Sequence, residues 1–203
     1  MHQGLFTSIR RRSALSLGLA FLAFLAQFGL AGCDDSGPTY RDVRLVGELE
    51  DGAYIALVAD EDDVVVYACD GVDDDATISV WLLGTHEDGA FSFEDEKSGA
   101  RVAGQFDDVA ASGTLTLEGG EALAFDVLLE GEDTGIYMFE DEIDDEPVRG
   151  GWILRDEGMR GAVINRTTGD LVTGTSVSQS SLSVSVNGLS FNLSQLQLPM
   201  LMD

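Results

Sequence analysis

Between Val43 and Ile164 the chain is cut into short apolar or alternating runs, each closed by a turn rich in glycine or acidic residues. They are VRLVGEL (43–49), AYIALVA (53–59), VVVYAC (64–69), TISVWLL (77–83), AFSF (90–93), RVAGQF (101–106), GTLTL (113–117), LAFDVLL (123–129), GIYMF (135–139), GWIL (151–154) and GAVI (161–164). A strand turns successive side chains to opposite faces, whereas an amphipathic helix needs apolar residues three and four apart over several turns. No stretch of this region shows the second pattern, so the expected fold class is all-β. Short connections favour pairing between neighbours in sequence. A single antiparallel meander domain follows, closed or nearly closed into a barrel, with a β-sandwich as the alternative. In the first run Val43, Leu45 and Leu49 share one face. AYIALVA and VVVYAC are apolar on both faces, which marks them as central strands.

The end of the chain changes character. From Leu171 to Met202 there is no charged residue. Within this stretch SLSVSV (181–186) and LSFNL (189–193) flank Asn187-Gly188, and Asn-Gly supplies the positive φ angles of a type I′ turn. A C-terminal β-hairpin is expected, with Leu182, Val184 and Val186 on the face of Leu189, Phe191 and Leu193. That face either packs on the domain or extends its sheet, or it offers an uncharged edge to a protein partner.

The rest of the chain is strongly acidic, with 37 Asp and Glu against 11 Lys and Arg, and Lys97 is the one lysine. Three of the basic residues, Arg10, Arg11 and Arg12, precede every acid and lead into the uncharged run Ala14–Leu30. A positive start, an apolar middle and small residues at the end form an export signal, although the run is long enough for a membrane anchor to be weighed against it. Leu30-Ala31-Gly32-Cys33 at its end resembles the lipobox of bacterial lipoproteins. The resemblance implies cleavage before Cys33, lipidation of its thiol and residence in the bacterial cell envelope with the domain outside the cytoplasm. Arg11-Arg12-Ser13-Ala14-Leu15 loosely resembles a twin-arginine export signal but lacks the aromatic after the arginine pair. The expected organisation is a signal peptide at 1–32, a lipidated tether at 33–42, an all-β domain at 43–170 and an uncharged, serine-rich hairpin tail at 171–203.

From Cys33 onward 8 basic residues face 37 acidic ones, a net charge of −29. That sign disfavours nucleic acid and anionic lipid as partners. Two readings of the acids remain: a solvated surface suited to a saline medium, or carboxylate clusters that hold calcium. The calcium candidates are Asp60-Glu61-Asp62-Asp63, Asp70 with Asp73, Asp74 and Asp75, and Glu140-Asp141-Glu142 with Asp144-Asp145-Glu146. None fits a known calcium loop, so no metal ligand and no cofactor are assigned.

Tyr67-Ala68-Cys69-Asp70-Gly71, Trp81-Leu82-Leu83-Gly84, Ser112–Leu117, Gly135-Ile136-Tyr137 and Gly150-Gly151-Trp152-Ile153 together resemble an exported β domain found in many bacteria, with a Y-x-C-D-G strand end and a later G-G-W-I strand. The resemblance spans roughly residues 45–165. It implies the fold and the location and carries no established activity.

Catalytic chemistry has little to draw on. His86 is the one histidine after the signal, since His2 precedes Cys33. A Ser-His-Asp device or a His/Cys zinc site would depend on it, and no G-x-S-x-G is present, although Gly174–Ser178 comes near. Cys69 ends an apolar strand and is followed by acids, the wrong surroundings for a reactive thiolate. Trp81 and Trp152, each beside glycine in an apolar run, suit core packing better than a ligand pocket. No catalytic residue is assigned. The expected function is a membrane-anchored envelope lipoprotein acting as a non-enzymatic structural or binding module. The alternatives are a calcium-dependent binding module and a hydrolase with a carboxylate or Ser/His site.

Overall fold

The computed structural model describes residues 40–72 and 75–198. The expectations for 1–32, for Cys33 and the tether up to residue 39, for Asp73 and Asp74, and for residues 199–203 lie outside the described residues. Eight strands close a barrel in chain order: β1 (Val43–Leu49), β2 (Tyr54–Ala59), β3 (Asp63–Cys69), β4 (Ser79–Glu87), β5 (Ala90–Glu94), β6 (Arg101–Phe106), β7 (Ala110–Thr116) and β8 (Ala122–Leu128). All neighbours are antiparallel, and β8 returns to β1 with Val46 opposite Leu128 and Leu49 opposite Phe125. The closed meander barrel, rather than the sandwich, is what forms. An eight-stranded barrel is only wide enough to be filled by side chains. Here Leu45, Ile55, Leu57, Leu82, Leu115 and Phe125 are among those that fill it.

The barrel closes at the eighth apolar run, and the later runs build a second sheet. β9 (Gly135–Ile143), β10 (Glu146–Arg155) and β11 (Gly158–Asn165) are flanked by β12 (Leu171–Val172) and β16 (Ser194–Gln195) in the order β12-β11-β10-β9-β16. One face of this sheet lies on the outer wall of the barrel, where Ile136, Met138, Ile153 and Ala162 join Val46, Ala56, Val65 and Tyr67 in one apolar cluster. This explains why β2 and β3 are apolar on both faces: one set of side chains fills the barrel and the other meets the sheet. On β5 to β8 the outward positions are exposed and, Leu128 apart, largely polar or small, as on Ser92, Gln105, Thr114 and Asp126.

The other face of the second sheet is covered by the uncharged segment. β13 (Thr175–Ser178), β14 (Ser183–Val186) and β15 (Leu189–Asn192) form a three-stranded sheet. Its Val184 and Val186, with Leu193, are buried against Tyr137, Trp152 and Val163. Charge is absent from β13 to β15 where a side chain has to enter this interface. Val184 pairs with Phe191 and Val186 with Leu189, and φ is +50° at Asn187 and +84° at Gly188, the type I′ geometry.

The strands around the acid run 140–146 extend further than the apolar pattern predicts. β9 and β10 form one long hairpin whose turn is Asp144-Asp145, with φ +53° and +65°. Arg149 stands opposite Glu140 on the neighbouring strand and its guanidinium bonds that carboxylate, while Ile143 and Val148 are buried near the turn. A cross-strand ion pair and two apolar anchors thus carry the ladder through a segment that reads as loop.

Candidate functional site

The motif residues that are scattered along the sequence meet at the seam between barrel and second sheet. Tyr67 on β3 is fully buried, and its hydroxyl donates to the Gly151 carbonyl on β10 at 2.9 Å. Its ring stacks on Trp81 of β4, with centroids 4.2 Å apart. Gly151 must be glycine for these rings to sit there: a Cβ at that position would lie 2.2 Å from Trp81 Cζ2 and 3.0 Å from Tyr67 Cζ. Gly161 repeats the device one strand on, where a Cβ would lie 2.3 Å from the Trp152 ring. The Gly161 N–H donates to Gly71 O at 3.0 Å, tying the end of Y-x-C-D-G to β11. Burial holds the Tyr67 hydroxyl well above the ordinary tyrosine range and pushes the Cys69 thiol up to about 11. Cys69 is therefore a protonated core residue at neutral pH, without nucleophilic character. Trp81 and Trp152 are both buried, the first in this seam and the second in the layer beneath β14.

Asp70 organises the loop that follows. Its Oδ1 accepts the N–H groups of Thr77 and Ile78, each at 2.8 Å, and its other oxygen accepts the Thr77 hydroxyl. Partial burial works to raise its pKa, and these hydrogen bonds outweigh it, so the carboxyl titrates below its ordinary value.

His86 lies at the barrel end where the chain enters. Its ring packs edge-on against Tyr40 and Phe106, at 5.3 and 4.8 Å between centroids. Nδ1 accepts the Gly89 N–H, which leaves the proton on Nε2 to be donated to Asp60 O at 2.8 Å. Both nitrogens are occupied by backbone, so the imidazole serves as a brace between the β2–β3 loop and the β4–β5 turn. Tyr40 plugs the end of the barrel. Its hydroxyl is raised by burial and then by the charges of Asp88, Asp108 and Asp107.

Many of the acids have local duties, a third role beside the two weighed from sequence. Asp60 Oδ1 accepts from Asp62 and Asp63 N–H, Asp107 Oδ1 from Val109 and Ala110, Asp95 Oδ2 from Ser98, and Asp51 Oδ1 from Ala53. Asp88, like Asp144 and Asp145, takes the positive φ that asparagine and aspartate tolerate in tight turns. Asp63 is raised by burial, with Asp60 and Asp62 adding to it, whereas Asp107 is lowered by the two N–H groups it accepts. Among the described residues no three His, Cys, Asp or Glu side chains form a group that could hold a metal ion.

The few cations are concentrated where acids would otherwise repel. Arg155, 11% exposed, contacts Glu48 at 2.9 Å, Glu130 at 2.7 Å and Glu157 at 3.0 Å, so one guanidinium joins β1, the β8–β9 connection and the β10–β11 turn. It also lies over the Tyr54 ring, 4.9 Å from the centroid. Sequence reading missed Arg155 because nothing local marks it. Two of its three partners, Glu48 and Glu130, stand 107 and 25 residues away.

Shallow grooves occur on the surface. The one beside the chain's entrance, about 470 Å³, is lined by Arg41, Asp42, Val43, Arg44, Asp108 and Leu129. No protein family, curated protein or solved structure matches this chain. What the fold defines is a class: an all-β protein in which an eight-stranded meander barrel carries a second sheet on its wall.

Proposed function

We propose that this chain is a lipid-anchored protein of the bacterial cell envelope, held through Cys33, whose barrel domain acts as a non-catalytic structural or binding module. The observation that carries the reading is Leu30-Ala31-Gly32-Cys33 at the close of the uncharged run Ala14–Leu30, seven residues before the fold begins at Tyr40. Acyl chains on one thiol, contributing about 0.8 kcal/mol per buried CH2, would hold such a domain at a membrane. The fold supports a module that works through its surface. The barrel interior is filled by its own side chains, and His86 and Cys69 are engaged in structure as described above.

The experiment is metabolic labelling with an alkyne fatty acid in a bacterial host. The wild-type protein should take up label and Cys33→Ala should not. Label retained in Cys33→Ala would place the acyl group elsewhere and defeat the reading. Fractionation alone would be a poor test, because the uncleaved variant keeps the apolar run Ala14–Leu30.

A further inference from the structure

Among the described residues, three of the six exposed large apolar side chains lie at one end of the barrel: Val109 at 58% and Leu129 at 53%, which flank the paired strands β7 and β8, and Leu128 at 57%, turned to the opposite face of its strand. The Leu129 N–H donates to Val109 O at 3.0 Å, and Ala110 stands opposite Leu128. The patch continues the β7–β8 ladder at the end of the barrel where Tyr40 enters, and Leu129 lines the groove formed with Arg41, Asp42, Val43 and Arg44. Six residues, 34–39, separate Cys33 from Tyr40, and an extended chain from one to the other reaches about 25 Å. A lipid on Cys33 therefore holds this end of the barrel within that distance of the bilayer.

From this we infer that Val109 and Leu129 form the surface on which the domain rests against the interface of a zwitterionic bilayer, an inference that depends on the lipid anchor at Cys33. The length of the tether selects lipid over a protein partner, because the bilayer is always within reach of this end. Charge selects the kind of lipid. Asp107 and Asp108 border the patch, and Asp107 is kept ionised by the N–H groups of Val109 and Ala110, so an anionic leaflet would repel the contact.

The test uses full-length lipidated protein in phosphatidylcholine vesicles with an environment-sensitive fluorophore at one introduced thiol. Val109→Cys reports on the patch. Glu121→Cys, in the turn after β7, reports on the opposite end of the barrel, about 20 Å along the strand. Cys69 is buried and Cys33 acylated, so labelling is confined to the new site. The expected result is a blue-shifted emission at Val109→Cys, quenched several-fold by lipids spin-labelled near the headgroup, with Glu121→Cys unchanged. Adding Leu129→Asp should return the patch probe to a water-like emission while the protein still floats with the vesicles. Flotation with equal, unquenched emission at both sites would overturn the orientation and leave the anchor standing. Failure to float would overturn the anchor and this inference with it.

Discussion

The Tyr67 hydroxyl and the Gly151 carbonyl, 84 residues apart in sequence, meet at 2.9 Å across the seam between barrel and second sheet. The bond is buried, and it fixes the height at which the two layers lie. Removing one partner from a buried pair leaves the other unsatisfied, at a cost of about 1–3 kcal/mol. Tyr67→Phe should therefore lower stability by that order in urea unfolding, with the far-ultraviolet spectrum of the native state unchanged. An unaltered midpoint would show that the seam is held by apolar contact alone.

Gly151→Ala tests the seam from the other side. A Cβ 2.2 Å from Trp81 Cζ2 cannot be absorbed without moving the ring, which is stacked on Tyr67. Overpacking of this kind costs about 1–3 kcal/mol. The expected outcome is a lower unfolding midpoint together with a shifted tryptophan emission. A variant as stable as the parent would contradict the close approach.

Asp70 gives a pH signature. The fold lowers its pKa, so the stability it contributes is full above the ordinary carboxylate range and is lost as pH falls through the lowered value. Asp70→Asn should be less stable than wild type by about 1 kcal/mol near neutral pH. The difference should shrink as pH falls from about 6 to about 2. A gap that stays constant over this range would mean that the charge of Asp70 is irrelevant to the loop.

With 37 acids and 8 basic residues from Cys33 onward, self-repulsion dominates the long-range electrostatics, while the acids in tight turns are engaged with their own backbone. Sodium chloride should accordingly raise the thermal midpoint up to about 1 M, where the Debye length falls to about 3 Å. Calcium chloride at matched ionic strength should add nothing more. A rise of several degrees in low-millimolar calcium alone would revive the calcium-dependent reading.

The order of the barrel strands was legible because each run announced itself by alternation or by unbroken apolar residues, and the turns between them by glycine or acidic residues. That β2 and β3 are apolar on both faces was legible too, and it marked them as central strands without showing what covers their outer faces. The second sheet was hidden because a closed eight-stranded barrel and a longer meander share one local pattern. They differ only in where β8 finds β1, a contact between Leu49 and Phe125 that no local signal encodes. The same limit applies at Arg155, whose three glutamate partners come from separate segments. Conversely, the Asn187-Gly188 turn could be read directly, since its geometry depends on two residues and little else. One role of the acids went unread. Counted as charges they suggested solvation or calcium, and beside either role Asp60, Asp95 and Asp107 act as turn caps through the shortness of their side chains.

The most direct measurement of the central claim is mass spectrometry of the N-terminal peptide of protein taken from the membrane fraction of an expressing bacterium. The account predicts that the first residue is Cys33 and that its thiol carries a diacylglycerol. A peptide that begins upstream of Cys33, or an unmodified Cys33 in protein recovered from membranes, would contradict it.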